Sequence, residues 1–192
     1  MLNDRSTPLS LLATRRSAKP RDMRGPGPTA GQLERLLTVA ARVPDHGKLA
    51  PWRFVVVDPD QRASFNDMLE AAYRAEVPEP NPAEVEKLRS FGGEAPCLVV
   101  VLSRVIELNA IPVYEQQLSA GGAATMLCAA ASAMGFVAGW ITGWASRSPT
   151  VIASLGQAGD RIAGFVFIGT AAVPLDDRPR PDLDTVVRHW DG

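Results

Sequence analysis

The chain has 192 residues, a formal net charge of -1, and 46% hydrophobic and 21% charged residues. That is long and apolar enough for one globular domain with a sizeable core, and it excludes a disordered chain. The near-neutral charge excludes molecule-wide attraction to nucleic acid or to an anionic membrane.

Met1 to Pro20 carries charges among its apolar residues and does not read as a secretory signal. The spacing predicts a short apolar helix over Pro8 to Ala13, then a Pro/Gly-rich connector from Lys19 to Pro28. Thr29 caps a second helix, with Gln32 at the capping-box position and Leu33, Leu36, Leu37, Ala40 and Ala41 on one face. Val43 to Pro51 is a loop, Arg53 to Asp58 a buried strand, and Gln61 to Ala75 an amphipathic helix. Residues 76–95 are acidic and proline-rich and read as a lid-like excursion, with a short helix around Ala83 to Phe91. Pro96 to Ser103 is a central strand and Val113 to Met134 a long helix with small residues in its middle. Phe136 to Thr142 is a strand, Ser148-Pro149 starts a helix, and Ile162 to Gly169 is the last core strand. Residues 174–192 are a polar, proline-rich tail.

Residues 120–145 carry no charge, but Gly121, Gly122, Gly135, Gly139 and Gly143 interrupt them, so a buried helix and strand are expected rather than a membrane span. Cys97 and Cys128 lie in apolar runs and are expected to be buried free thiols in a cytoplasmic protein. No Gly-x-Gly-x-x-Gly follows a strand, and no Walker or Gly-x-Ser-x-Gly sequence is present. His46 and His189 are the only histidines and neither is near a cysteine, so no His/Cys metal cage is expected. If the chain is an enzyme, a bound cofactor is expected to carry its chemistry.

Four clusters remain. Arg15-Arg16-Ser17-Ala18-Lys19 suits a phosphate, since arginine offers a bidentate fork. It also reads as a basic helix end facing the macrodipole, or as a nucleic-acid arm, although no aromatics are interleaved. Pro44 to Trp52 is dense in donors, but would also serve as a plain connector with Trp52 filling the core. Gly139-Trp140-Ile141-Thr142-Gly143-Trp144 could admit a planar ring close to the backbone, or be a core strand with aromatic filler. Arg178 and Arg180, separated by Pro179, would place one guanidinium on an anion or lie in a solvated tail.

In order and spacing together, Arg-Arg-Ser-x-Lys, Pro-Asp-His-x-x-x-x-Pro-Trp before the first strand, the glycine-rich strand after a long helix, and a glycine nine residues before Arg-x-Arg resemble the nitroreductase family, and the Pro-Asp-His form its small, YdjA-like branch. The resemblance runs from about Leu9 to Pro181. It implies an α+β fold, a central mixed β-sheet flanked by helices, in a single domain over residues 1–192, and an intertwined homodimer with FMN at the interface. It implies that Arg15 and Ser17 hold the phosphate and ribityl end, with Arg16 beside them and Lys19 near flavin N1 and O2. Arg42 and His46 match FMN contacts of the branch, and the Pro44 to Trp52 loop reaches the partner's flavin. Trp140, Ile141 and Thr142 match the strand-end contact, and Arg178 or Arg180 closes on the phosphate. Residues 130–135 fall where NAD(P) binding is sometimes placed. The implied activity is ping-pong transfer from NAD(P)H, through flavin N5, to a small oxidised acceptor such as a nitroaromatic or quinone. No side chain is needed as nucleophile. The alternative is an FMN-binding or FMN-fragmenting protein without that turnover. One departure is Ala50, where much of the family has Gln before Pro-Trp.

Overall fold

The computed structural model describes residues 1–107 and 110–192. Four of its helices start where a polar cap precedes a proline or a capping box. Thr7 accepts from the Ser10 amide ahead of α1 (Pro8–Thr14). Thr29 and Gln32 form the full reciprocal capping box of α2 (Ala30–Ala40). Asn81-Pro82 opens α4 (Pro82–Ser90), and Ser148-Pro149 opens α6 (Pro149–Leu155). Such caps satisfy amides that have no partner inside the helix. The remaining helices are α3 (Arg62–Glu76), α5 (Val113–Ala133) and the one-turn α7 (Leu183–Val186).

The strands are β1 (Met23–Arg24), β2 (Trp52–Val57), β3 (Cys97–Ser103), β4 (Val137–Ile141) and β5 (Arg161–Ala171). They make a 5-stranded sheet in the order β1-β5-β3-β2, with β4 also on β5. β4 pairs with β5 from Phe165 through Gly169, and β1 pairs with its last two residues, Thr170 and Ala171. Every pairing among the described residues is antiparallel, which corrects the mixed sheet expected above. The reason is in the connections. α3 and α4 run out and back, returning the chain to the end of the sheet where β2 stopped, so β3 runs against β2. α5 then carries the chain along the sheet, so β4 runs with β3, but β5 lies between those two and opposes both.

Alternation along β3 and β5 divides the core. Cys97, Val99, Val101, Val166 and Ile168 face α2 and α5, packing on Leu36, Ala40, Ala124 and Leu127. Leu98, Val100, Leu102, Phe165 and Phe167 face the other layer, with Phe65, Leu69 and Val151. Both faces are therefore covered, which explains why β3 reads as one apolar run rather than an alternation. The excursion expected at residues 76–95 contains α4, whose Val85 and Leu88 are buried in this second layer. The two cysteines are buried free thiols, and burial pushes both up to about 11. No helix among the described residues is long and apolar enough to cross a membrane.

Candidate functional site

Arg15 ends α1 in an extended conformation, and the chain from Arg16 to Lys19 runs beside the β4 edge. The Ala18 amide donates to the Ala138 carbonyl at 3.2 Å. Gly139 permits that approach, because a Cβ there would collide with the Ala18 carbonyl oxygen. Lys19 is then set by a tight turn over Pro20–Asp22, in which the Asp22 amide donates to the Lys19 carbonyl at 2.9 Å. The Asp22 carbonyl accepts from the Ala172 amide at 2.9 Å, tying this turn to the start of the tail.

The tail closes the arrangement. Arg16 Nε donates to the Asp176 carbonyl at 2.9 Å and lies 3.6 Å from an Asp177 carboxylate oxygen. Arg180 donates to the Arg15 carbonyl at 3.4 Å, and Arg15 donates to Ser17 Oγ at 3.3 Å. The result is a cavity of about 370 Å³ whose lining includes Arg16, Ser17, Lys19, Trp140, Ile141 and Arg178. Three segments far apart in sequence thus place three cations and a hydroxyl around one hollow, together with Asp22 and Asp176. A cationic wall of this kind can hold a phosphate and stabilise negative charge that develops nearby.

Arg15, Thr142 and Arg180 do not line the cavity; Arg15 and Arg180 instead brace the segments that do. The Trp140 indole donates to the Ala163 carbonyl at 3.0 Å and lies over Gly164, where a Cβ would meet the ring. The glycine that accommodates a planar ring is therefore Gly164, and the ring is tryptophan's own.

Arg42 and His46 lie outside the lining of this cavity. His46 belongs to the loop before β2, where Nδ1 meets a Glu115 carboxylate oxygen at 2.8 Å. Asp45 accepts from the Leu49 and Ala50 amides at 3.1 and 2.9 Å, and Ser119 Oγ donates to the Pro44 carbonyl at 2.6 Å. Gly47, Lys48 and Ala50 all adopt left-handed backbone, at φ 71, 56 and 46. For Lys48 and Ala50 that conformation costs on the order of 1–2 kcal/mol each, and the Asp45 bonds and the α5 contacts hold it. Sequence reasoning missed Glu115, Ser119, Asp176 and Asp177. Asp45 was legible only as part of Pro-Asp-His. The others carry no local signal, because they act across the fold.

With this geometry in place, comparison with known proteins defines the class. The nitroreductase family profile matches residues 12–170, and the chain belongs to that family. It is 34% identical over 163 residues to "Putative NAD(P)H nitroreductase YdjA" of Escherichia coli (strain K12), covering 84% of this chain and 87% of that protein. The fold is similar to a nitroreductase-like family protein from Bacillus cereus, with a TM-score of 0.85 at 19% identity over 97% of both chains. It is also similar to a protein from Exiguobacterium sibiricum 255-15 described as "putative nitroreductase in complex with FMN", with a TM-score of 0.72 at 12% identity over 96% and 98% of the two chains.

Proposed function

We propose that the chain is an FMN-dependent oxidoreductase that takes hydride from NAD(P)H and reduces a small oxidised acceptor, a nitroaromatic, quinone or similar conjugated compound. We read residues 1–192 as one FMN-binding domain of a cytoplasmic homodimer. The observation that carries this reading is the convergence of Arg16, Ser17, Lys19, Trp140, Ile141 and Arg178 on one cavity, in a chain whose relative is named for NAD(P)H and whose fold is shared with an FMN complex.

The donor set suits FMN. Arg16, Ser17 and Arg178 would hold the phosphate and ribityl end, with Arg15 and Arg180 bracing them. Lys19 would stand at the pyrimidine edge, and the strand end at Trp140 to Thr142 would support the ring system. When bound, FMN supplies the redox chemistry: hydride acceptance at N5 from NAD(P)H, then onward transfer to the acceptor in a second half-reaction. The chain's part is to grip an anion, orient a planar ring and keep a cation where negative charge accumulates. Arg42 and His46 would reach the flavin of a second subunit, since the cavity of their own chain does not include them.

The test is direct. Purified protein should be yellow and release FMN, not FAD, on denaturation, and should consume NAD(P)H steadily with menadione as acceptor. Colourless protein that takes up no added FMN would overturn the reading.

A further inference from the structure

A second cavity, of about 790 Å³, lies where α6 and the loop after it meet the start of β5. Its lining includes Arg147, Ile152, Gln157, Asp160, Arg161 and Ile162. None of these residues has a part in gripping the flavin.

The charge on its wall is unbalanced. Asp160 is only 2% exposed, and its carboxylate is already engaged: one oxygen accepts from the Gln157 amide at 2.8 Å and lies 4.0 Å from Arg53 Nη1. Arg161 is held by Nη1, which donates to the Asp160 carbonyl at 2.9 Å. Arg147 stands on a tight turn. There the Arg147 and Ser148 amides donate to the Trp144 carbonyl at 2.9 and 3.1 Å, and Ser146 Oγ donates to the Gly143 carbonyl at 2.8 Å. Among the described residues no carboxylate forms an ion pair with Arg147 or Arg161. Two exposed guanidiniums on fixed backbone, beside the apolar side chains of Ile152 and Ile162, suit a heterocycle that carries a phosphate.

The place of the cavity in the fold says which one. β5 runs from it to the flavin cavity: Arg161 and Ile162 line the first, and Phe165 and Val166 pair with Ile141 and Trp140, which line the second. From Arg161 to Val166 is five residues, about 17 Å of strand. That is the scale on which an extended dinucleotide separates its nicotinamide from its adenosine 2′-phosphate. The turn carrying Arg147 also begins at Gly143, directly after the strand end that would support the flavin. The end of α5 offers no such group: residues 130–135 hold no cation, and Ala130, Ala131 and Ser132 are buried.

We infer that this cavity receives the adenosine 2′-phosphate of NADPH on Arg147 and Arg161, so that the chain prefers NADPH to NADH. The inference rests on the NAD(P)H reading of the proposed function and names which of the two donors is taken. NADH has a hydroxyl at that position and gives the two guanidiniums no charge to pair with.

Two measurements test it, on the parent protein, on the double variant Arg147→Gln/Arg161→Gln, and on Arg35→Gln as a control for diffuse charge, since Arg35 is exposed on α2. Arg147 and Arg161 are exposed, so their replacement leaves the fold intact. The first is titration calorimetry of the FMN-loaded protein with 2′,5′-ADP and with 5′-AMP, which differ by the 2′-phosphate alone. The parent should bind 2′,5′-ADP more tightly by roughly tenfold or more, as charge-assisted phosphate contacts do. The double variant should erase that difference and Arg35→Gln should keep it. The second is steady-state turnover with menadione. The ratio of kcat/KM for NADPH to that for NADH should fall by roughly tenfold or more in the double variant, through KM for NADPH. Equal binding of the two nucleotides by the parent overturns the inference, and so does a difference that survives in the double variant or vanishes in Arg35→Gln. Parent turnover that favours NADH also overturns it and leaves the flavin reading standing. Protein that takes up no FMN overturns the flavin reading, and the same calorimetry on it still decides whether the cavity holds a 2′-phosphate.

Discussion

At Gly139 the segment carrying Arg16, Ser17 and Lys19 crosses β4 with no room for a side chain. Gly139→Ala should force that segment off the strand, costing about 1–3 kcal/mol in strain and weakening FMN binding by fluorescence titration. Gly31 is the control. It is helical in α2 with nothing within 4 Å of an added Cβ, so Gly31→Ala should stabilise the fold by about 0.5–1 kcal/mol and leave FMN binding unchanged. Equal effects on binding at the two glycines would disconnect the crossing from the site. Lys19 raises a different question, because its side chain is exposed and its value lies in charge. A cation at the flavin's pyrimidine edge stabilises the reduced, negatively charged state more than the oxidised one. Lys19→Met should therefore make the flavin midpoint potential more negative by on the order of 30 mV, the equivalent of about 1.4 kcal/mol for two electrons. A redox titration showing an unchanged potential with FMN fully bound would remove Lys19 from the mechanism.

Between elements, Glu76 joins the end of α3 to the start of α6. One carboxylate oxygen accepts from Ser148 Oγ at 2.9 Å and from the Thr150 amide at 3.1 Å. Burial alone would raise its pKa, but these hydrogen bonds outweigh it and hold Glu76 below the usual glutamate value. A depressed folded pKa gives stability that is fully present above the unfolded value, about 4.3, and is lost as pH falls through the folded one. Glu76→Ala should thus cost about 0.5–2 kcal/mol at neutral pH, as loss of a helix cap does, and the gap from the parent should narrow below about pH 4. A gap that stays constant from pH 7 to 3 in denaturant unfolding would show that the charge does not matter. Glu76 also illustrates what the sequence conceals. Ser148-Pro149 announced the cap of α6 locally, and α2 announced itself through Thr29 and Gln32, but nothing near Glu76 pointed to a helix 72 residues away. β1 was hidden for the same reason. Its two residues sit in a Pro/Gly-rich connector and become a strand only by pairing with Thr170 and Ala171. Arg16, Ser17, Lys19 and one of Arg178 and Arg180 came together as a set only through the family resemblance, since Arg15-Arg16-Ser17-Ala18-Lys19 alone also reads as a basic helix end. Asp176, which holds Arg16 by its backbone carbonyl, had no side-chain signal to read.

For the whole molecule, the distribution of cations predicts how stability answers to ligand. Arg16, Lys19 and Arg178 gather on one cavity whose lining also holds Asp22 and Asp176, and an anionic ligand would add a partner for the three cations. A ligand that binds the folded state alone stabilises it by mass action, about 2.7 kcal/mol at a hundred times its Kd. For a chain of this size each kcal/mol moves Tm by roughly 2–4 °C. FMN at that concentration should therefore raise Tm by roughly 5–11 °C. Riboflavin has the same ring system and ribityl chain without the phosphate, so at the same concentration it should give clearly less. FAD keeps its phosphates but carries an adenosine that the cavity must place outside itself, and it too should fall short of FMN. Differential scanning fluorimetry of cofactor-stripped protein separates these cases. Equal shifts with FMN and riboflavin would mean that the arginines do not grip the phosphate, and the roles assigned to Arg16 and Arg178 would fail even if the protein still bound a flavin.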